Sequence, residues 1–238
     1  MQRVRRFFGY SESSSDNSTL EAKESSDASS DSETEETEGS SRRPSMAMRL
    51  AISSFRRKFP NIKGASTELV HKWYKEGVGE TTPKGRNQEA TTGSDKRTFV
   101  IVDSRPDEEY KISHISGCVR IDFTIEDDAN LIHLIDSAIK EDERHLPKTV
   151  VMYCSLGYRS CILADKLINA LKTKGAGTSS LDNIEIYNME GGLFKWALEG
   201  SPLVDIKGKP TKFVHPYSPI FGQLLHRSMR RYKDDDDD

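Results

Sequence analysis

Between residues 62 and 204 the apolar residues follow two alternating rhythms: short unbroken runs, and longer stretches spaced by three or four. Thr98-Phe-Val-Ile-Val-Asp103 and Val150-Val-Met-Tyr-Cys154 are runs of the first kind, and each predicts a strand buried on both faces of a parallel sheet. Ile184–Tyr187 reads as a further strand and Val119–Asp122 as a short one. Helical spacing covers Ser66–Lys75, with Leu69, Val70 and Trp73 on one side and Ser66 or Thr67 as the cap. It recurs over Asn130–Arg144 through Leu131, Leu134, Ile135, Ala138 and Ile139, over Arg159–Leu171, and around Gly192–Leu198. Gly77–Arg97 and the segment holding Gly175, Gly177, Ser179 and Ser180 have no apolar period and read as loops. Strands separated by helices imply right-handed crossovers and a sheet covered on both sides, which is an α/β fold.

The N-terminal quarter of the chain departs from this pattern. Residues 11–41 hold twelve serines and ten acidic side chains against one lysine, with too little apolar surface to offset the entropy of ordering. A disordered region is therefore expected over 1–57, followed by a domain at 58–207, an extension at 208–233 and an acidic tail or tag remnant at 234–238. Hydrophobic residues make up 34% of the 238 positions, below the roughly 45–50% apolar share, glycine included, of an ordinary globular chain. Ser30 and Ser32 have a glutamate three positions on, suiting an acid-directed kinase, and Ser45 follows Arg42-Arg43-Pro44, suiting a base-directed one.

The net charge of −3 conceals a basic remainder once the acidic region and Asp234–Asp238 are set aside. That positive field favours small anions or acidic partners. No run approaches the roughly 18 apolar residues of a membrane-spanning helix. Cys118, Cys154 and Cys161 are neither an even set nor a CxxC pair, which argues against a disulfide framework and a zinc site and for a reducing compartment. A cytoplasmic location is expected. The arginine-rich start Met1–Tyr10 meets acid at Glu12 and makes a poor presequence, whereas Met46–Asn61 is basic and acid-free, so a start at Met46 or Met48 would make a mitochondrial location the alternative.

The chemistry concentrates in Val150-Val-Met-Tyr-Cys154-Ser-Leu-Gly-Tyr-Arg159-Ser160. A cysteine ends a buried strand just before a helix, at the sheet edge where α/β proteins bind ligands. Backbone N–H groups of a tight turn and the helix N-terminus favour an anion there, and the same field stabilises a thiolate. Gly157 permits a turn that a β-carbon would obstruct, and Arg159 adds a fixed positive fork. The plainer alternative is a structural cysteine beside an ordinary glycine turn.

With this loop, Ile101-Val-Asp103-Ser-Arg105 before Glu109-Tyr110, then His114-Ile-Ser-Gly117 and Asn188-Met-Glu-Gly191-Gly192-Leu-Phe-Lys-Trp196 form landmarks in a set order. In them the chain resembles the rhodanese (sulfurtransferase) superfamily over residues 60–204, more weakly to about Arg231. Lys58-Phe-Pro60 and His215-Pro-Tyr217 resemble a single-domain branch of it. The resemblance implies a rhodanese-like three-layer sandwich around a central, mostly parallel five-stranded sheet. It implies that Cys154 takes the outer sulfur of thiosulfate or a thiol persulfide, holds it as a persulfide, and passes it to cyanide or a thiol. Ser155, Leu156, Gly157, Tyr158, Arg159 and Ser160 would bind the anionic donor, while Asp103 and Arg105 would hold the loop from beneath. No metal or other cofactor is implied, and no nucleic acid.

Two other readings stay open. Related cell-cycle tyrosine phosphatases place five residues between cysteine and arginine and a histidine before the cysteine, whereas here four residues, Ser155–Tyr158, intervene and Tyr153 precedes. A contracted ring suits one sulfur better than a phosphate. A non-enzymatic scaffold of the same fold is the second, with the serine-rich region or the C-terminal helix as its contact to a protein partner. Ser155 and Leu156 stand where thiosulfate enzymes often carry cations, which leaves a thiol persulfide as an alternative donor.

Cys118 reads as a small core residue. Cys161, about two helical turns beyond Cys154, is too far for an unstrained bridge, with a resolving thiol as the lesser reading. His114 reads as a packing residue, His71, His133, His145, His215 and His226 show no ligand spacing, and Trp73 and Trp196 read as core. Ser218-Pro219 reads as the start of a terminal helix with Ile220, Phe221, Leu224, Leu225 and Met229 as its apolar stripe and Arg227, Arg230 and Arg231 making the other side basic.

Overall fold

The computed structural model describes residues 44–78, 97–174, 181 and 183–233. Its elements are α1 (Met46–Lys58), β1 (Lys63–Ala65), α2 (Thr67–Val78), β2 (Thr98–Asp103), α3 (Asp107–Ile112), β3 (Val119–Arg120), α4 (Asp128–Ser137), β4 (Lys148–Tyr153), α5 (Tyr158–Lys174), β5 (Ile184–Met189), α6 (Gly192–Leu198) and α7 (Pro219–Gly222), with 3₁₀ turns at Glu141–Glu143 and Arg227–Met229. All pairings in the five-stranded sheet are parallel, in the order β1-β5-β4-β2-β3. The expected α/β sandwich is present, its sheet parallel throughout.

Alternation along the two longest buried strands divides the core. Val100 and Val102 of β2 and Val150 and Met152 of β4 face one side, against Leu131 and Ile135 of α4 and Leu163 and Leu167 of α5. Ile101 of β2 and Val151 and Tyr153 of β4 face the other, against Phe194 and Trp196 of α6, Val70 of α2 and Met48 of α1. Every residue of β4 is buried, as expected of the central strand of a sheet covered on both faces.

Two expectations need correction. The region read as disordered through residue 57 gives way to helix α1, because Met48, Ile52 and Phe55, spaced i, i+4, i+7, pack on the core. Ser45 caps this helix by accepting from the Met48 N–H at 3.2 Å, and Arg56, Arg57 and Lys58 complement the dipole of its last turn. Residues 1–43, where the disorder was expected, lie outside the described residues, as do most of the loop at 77–97, the second loop at 175–180 and the acidic run at 234–238.

The terminal amphipathic helix is also absent in the form expected. Ser218 does cap α7, accepting from the Phe221 N–H at 3.3 Å, but α7 ends at Gly222. Val214 donates to the Met229 carbonyl at 2.7 Å and accepts from the Arg231 N–H at 3.1 Å, so Arg230, extended after the 3₁₀ turn, bridges to it in parallel. Arg230 donates from Nε and Nη2 to the Leu225 carbonyl at 3.1 and 2.8 Å, closing the intervening turn. Leu225 is buried while Ile220 is 76% exposed, which divides the apolar stripe read from the sequence. Among the described residues no helix is long and apolar enough to cross a membrane.

Candidate active site

Strand order brings two loops together. From β4 the chain crosses to β5 on one side, and from β2 to β3 on the other, so β2 and β4 flank the point where the winding reverses. A crevice opens at such a point beyond the carboxyl ends of the strands. Asp103 and Tyr153 end these strands level with each other. The segments that follow, Ser104–Ile112 and Cys154–Ser160, therefore share one edge.

Cys154 leaves β4 and the chain turns at once into α5. Gly157, at φ 109, makes that turn possible, and its N–H donates to Cys154 Sγ at 3.0 Å. α6 stabilises the opposite side of the loop: the N–H groups of Leu193 and Phe194 donate to the carbonyls of Cys154 and Ser155 at 2.8 and 3.1 Å. With those carbonyls drawn toward α6, the N–H groups of the loop are left to face the sulfur. Close approach requires Gly192, since a β-carbon there would collide with the Cys154 carbonyl and stand 2.8 Å from the Leu156 nitrogen.

Burial pushes the Cys154 thiol up, but the charge of Arg159, the N–H and hydroxyl of Ser160 and the N–H of Leu156 outweigh it and hold the thiol below its ordinary value. The side chain is 2% exposed. Leu156 packs its side chain into the core and gives the site its N–H, while Tyr158 turns to α1, where its hydroxyl accepts from Lys58 Nζ at 2.7 Å. Ser160 Oγ also lies 2.7 Å from Asn188 Oδ1.

Arg159 is the least expected part. Its Nη1 and Nη2 donate to Glu109 Oε1 and Oε2 at 2.6 and 2.8 Å, and Nη2 also donates to Ser155 Oγ at 2.9 Å. The Ser155 hydroxyl donates in turn to Glu109 Oε2 at 2.6 Å. The fork expected to face a donor is thus bound to a buried carboxylate of α3. Burial pushes Glu109 up, but the bonds and charge of Arg159, the charge of Arg105 and the Ser155 hydroxyl together hold it below the usual carboxylate range. Tyr217 lies over the guanidinium, its ring centroid 4.5 Å from the central carbon.

Asp103 and Arg105 are wholly buried and paired, Arg105 Nε and Nη2 meeting Asp103 Oδ1 and Oδ2 at 2.9 and 2.6 Å. Arg105 also donates to the Ser113 carbonyl at 2.6 Å, and Ser104 donates to the Tyr153 carbonyl at 2.7 Å. This layer ties β2, β4 and the chain after α3 together below Cys154.

Residues 87–199 match the family model of the rhodanese-like domain. The chain carries a rhodanese-like domain. No curated protein matches the chain. Among solved structures it is similar to a rhodanese-related protein of Thermoplasma volcanium, at 15% identity over 60% of this chain and 97% of that one with a TM-score of 0.36. A Saccharomyces cerevisiae homolog of single-domain rhodanese and the Cdc25 phosphatase catalytic domain gives 20%, 58%, 81% and 0.42 in the same order. The thiosulfate sulfurtransferase of Pseudomonas aeruginosa gives 16%, 75%, 26% and 0.38.

Segments outside the matched domain flank its loop. Phe55 and Phe59 pack on the Tyr158 ring with centroids 5.4 and 5.6 Å away, and Arg56 pairs with Glu190. A cavity of about 20 Å³ lies between α1 and the loop, bounded by Ile52, Phe55, Arg56, Phe59, Leu156 and Cys161. Burial pushes the Cys161 thiol well up and the Cys118 thiol up to about 12, so Cys154 is the one cysteine of the rhodanese-like domain shifted toward thiolate. The Cys118 sulfur accepts from the Tyr153 hydroxyl at 3.4 Å. Among the described residues no cluster of His, Cys, Asp or Glu could hold a metal ion.

Glu109, Gly192 and Tyr217 are the site residues that sequence reasoning missed. Each stood in a segment already singled out, after Asp103, in the paired glycines, and in His215-Pro-Tyr217, yet nothing in the sequence linked them to Cys154.

Proposed function

We propose that this rhodanese-like domain is a sulfurtransferase working through a Cys154 persulfide. One observation carries the reading: the sulfur of a buried cysteine accepts a backbone N–H in a ring that also offers Leu156 and Ser160, and its thiol is biased to the anion. The Cys154 thiolate attacks the outer sulfur of the donor. The donor's S–S bond breaks, a thiolate or sulfite leaves with its electron pair, and the new terminal persulfide sulfur carries the negative charge. The ring of N–H groups stabilises that charge, as oxyanion holes stabilise developing oxyanions. A thiol or cyanide acceptor then takes the outer sulfur and restores the thiolate.

The charge balance favours a thiol persulfide over thiosulfate as donor. Ser155 and Leu156 are uncharged, and Arg159 is neutralised by Glu109, so a dianion meets less positive field than the sequence suggested. The same pairing argues against phosphate monoesters, because both outer nitrogens of Arg159 are already engaged. Three free cysteines fit a reducing compartment, and the proposal places the reaction in the cytoplasm.

The test is steady-state transfer to cyanide with each donor. Thiocyanate release should be faster from a thiol persulfide than from thiosulfate, and absent in Cys154→Ser. Equal turnover in the serine variant overturns the proposal.

A further inference from the structure

We propose that Tyr217, contributed by a segment beyond the matched domain, is a positioning residue of this site, holding the Arg159 guanidinium flat against Glu109 and thereby setting the reactivity of Cys154. The guanidinium has its edge on Glu109 and Ser155 and one face on the Tyr217 ring at 4.5 Å, against 5.8 Å to Phe123. Arg159 and Glu109 are nearly enclosed, so the ring acts where water screens little.

Tyr217 sits at φ 63, in the left-handed region that bulky residues seldom adopt. The surrounding chain holds it there. Its N–H donates to His215 Nδ1 at 3.1 Å, and the Ser218 N–H donates to the Pro216 carbonyl at 2.6 Å. The segment is fastened on one side by the pairing of Val214 with residues 229–231 and on the other by the Ser218 cap of α7. A disfavoured conformation imposed by such anchoring, at a residue that covers the cation of the active loop, is the pattern of strain kept for function. A side chain present only for packing would sit there at lower cost as asparagine or glycine.

The experiment measures iodoacetamide alkylation of Cys154 in the full chain as a function of pH, with the modified residue identified by peptide mass. Arg159 and the Cys161 thiol, both on α5, act on the reacting sulfur directly, and Arg159 is in turn faced by Glu109 on α3 and by Tyr217 and His215 on the C-terminal segment, with Arg105 after β2 acting on Glu109. Tyr217→Phe keeps the ring and should reproduce the wild-type profile. Tyr217→Leu and Tyr217→Asn remove it and should slow alkylation at neutral pH by between about twofold and thirtyfold, with the midpoint displaced upward. Tyr217→Asn should also unfold at a higher temperature than Tyr217→Leu, because asparagine tolerates this backbone conformation.

Unchanged profiles in the leucine and asparagine variants, or a phenylalanine variant as slow as leucine, overturn the proposal. The accompanying loss of turnover rests on the sulfur-transfer reading, whereas alkylation does not. A displaced profile in a protein that transfers no sulfur sustains the role of Tyr217 and sinks the sulfurtransferase. An undisplaced profile in an active enzyme does the reverse.

Discussion

Replacing Glu109 by glutamine removes one charge from a pair whose side chains are 3% and 9% exposed, and leaves the Arg159 guanidinium buried without a counter-charge. Glutamine can accept one of the two bonds from Arg159, but its NH₂ would face the second. Breaking a buried pair from one side costs about 3–5 kcal/mol, a large part of the roughly 5–15 kcal/mol that stabilises a typical domain. At about 2–4 °C per kcal/mol for a domain of this size, the melting temperature should fall by roughly 6–20 °C. Urea unfolding followed by circular dichroism gives the same quantity from the midpoint, provided the slope stays constant. The double variant Glu109→Leu, Arg159→Met should lose less than either single, since apolar replacement of both members removes the uncompensated charge. A loss under about 1 kcal/mol in Glu109→Gln, the behaviour of a solvent-exposed pair, would show that the two side chains are not coupled as a buried ion pair.

Other outcomes follow from the same geometry. Gly192→Ala should cost about 1–3 kcal/mol in urea unfolding and slow Cys154 alkylation, because the added methyl meets the Cys154 carbonyl and the backbone is at φ 55. Glu109 is held below its unfolded value of about 4.3, so its contribution is complete above that pH and is lost as pH falls through the folded value. The stability gap between wild type and Glu109→Gln, measured in urea at neutral and at acidic pH, should therefore narrow on acidification. Arg159→Ala removes the charge that most opposes the effect of burial on the thiolate, so the alkylation midpoint of Cys154 should rise. An unmoved midpoint contradicts that role.

Most of the sheet was legible because its strands are buried on both faces, and an unbroken apolar run such as Val150–Tyr153 has few other uses. Lys63-Gly-Ala65 was not, for it has no apolar run and becomes a strand only by pairing with Tyr187, Asn188 and Met189. α3 carries Asp107, Glu108 and Glu109 in its first turn and buries only Glu109 and Ile112, so its pattern resembles a solvated loop. In the C-terminal extension the spacing of Ile220, Phe221, Leu224, Leu225 and Met229 suited a helix. Pairing with Val214, settled elsewhere in the chain, won instead.

The loop itself was readable from strand, cysteine, glycine and arginine in immediate succession. The state of its arginine was not, because the partner Glu109 lies 50 residues away and a lone cation in sequence looks available. Reading Arg159 as a donor-binding fork followed from that gap. In the folded chain its charge acts on Cys154 and on Glu109.

Whether Cys154 carries sulfur is read by intact mass spectrometry after incubation with a thiol persulfide. The protein should gain one sulfur atom, located at Cys154 by peptide mapping, reversed by cyanide and missing from Cys154→Ser. A protein that gains no sulfur from a thiol persulfide or from thiosulfate, or gains it equally in the serine variant, contradicts a sulfur-carrying Cys154.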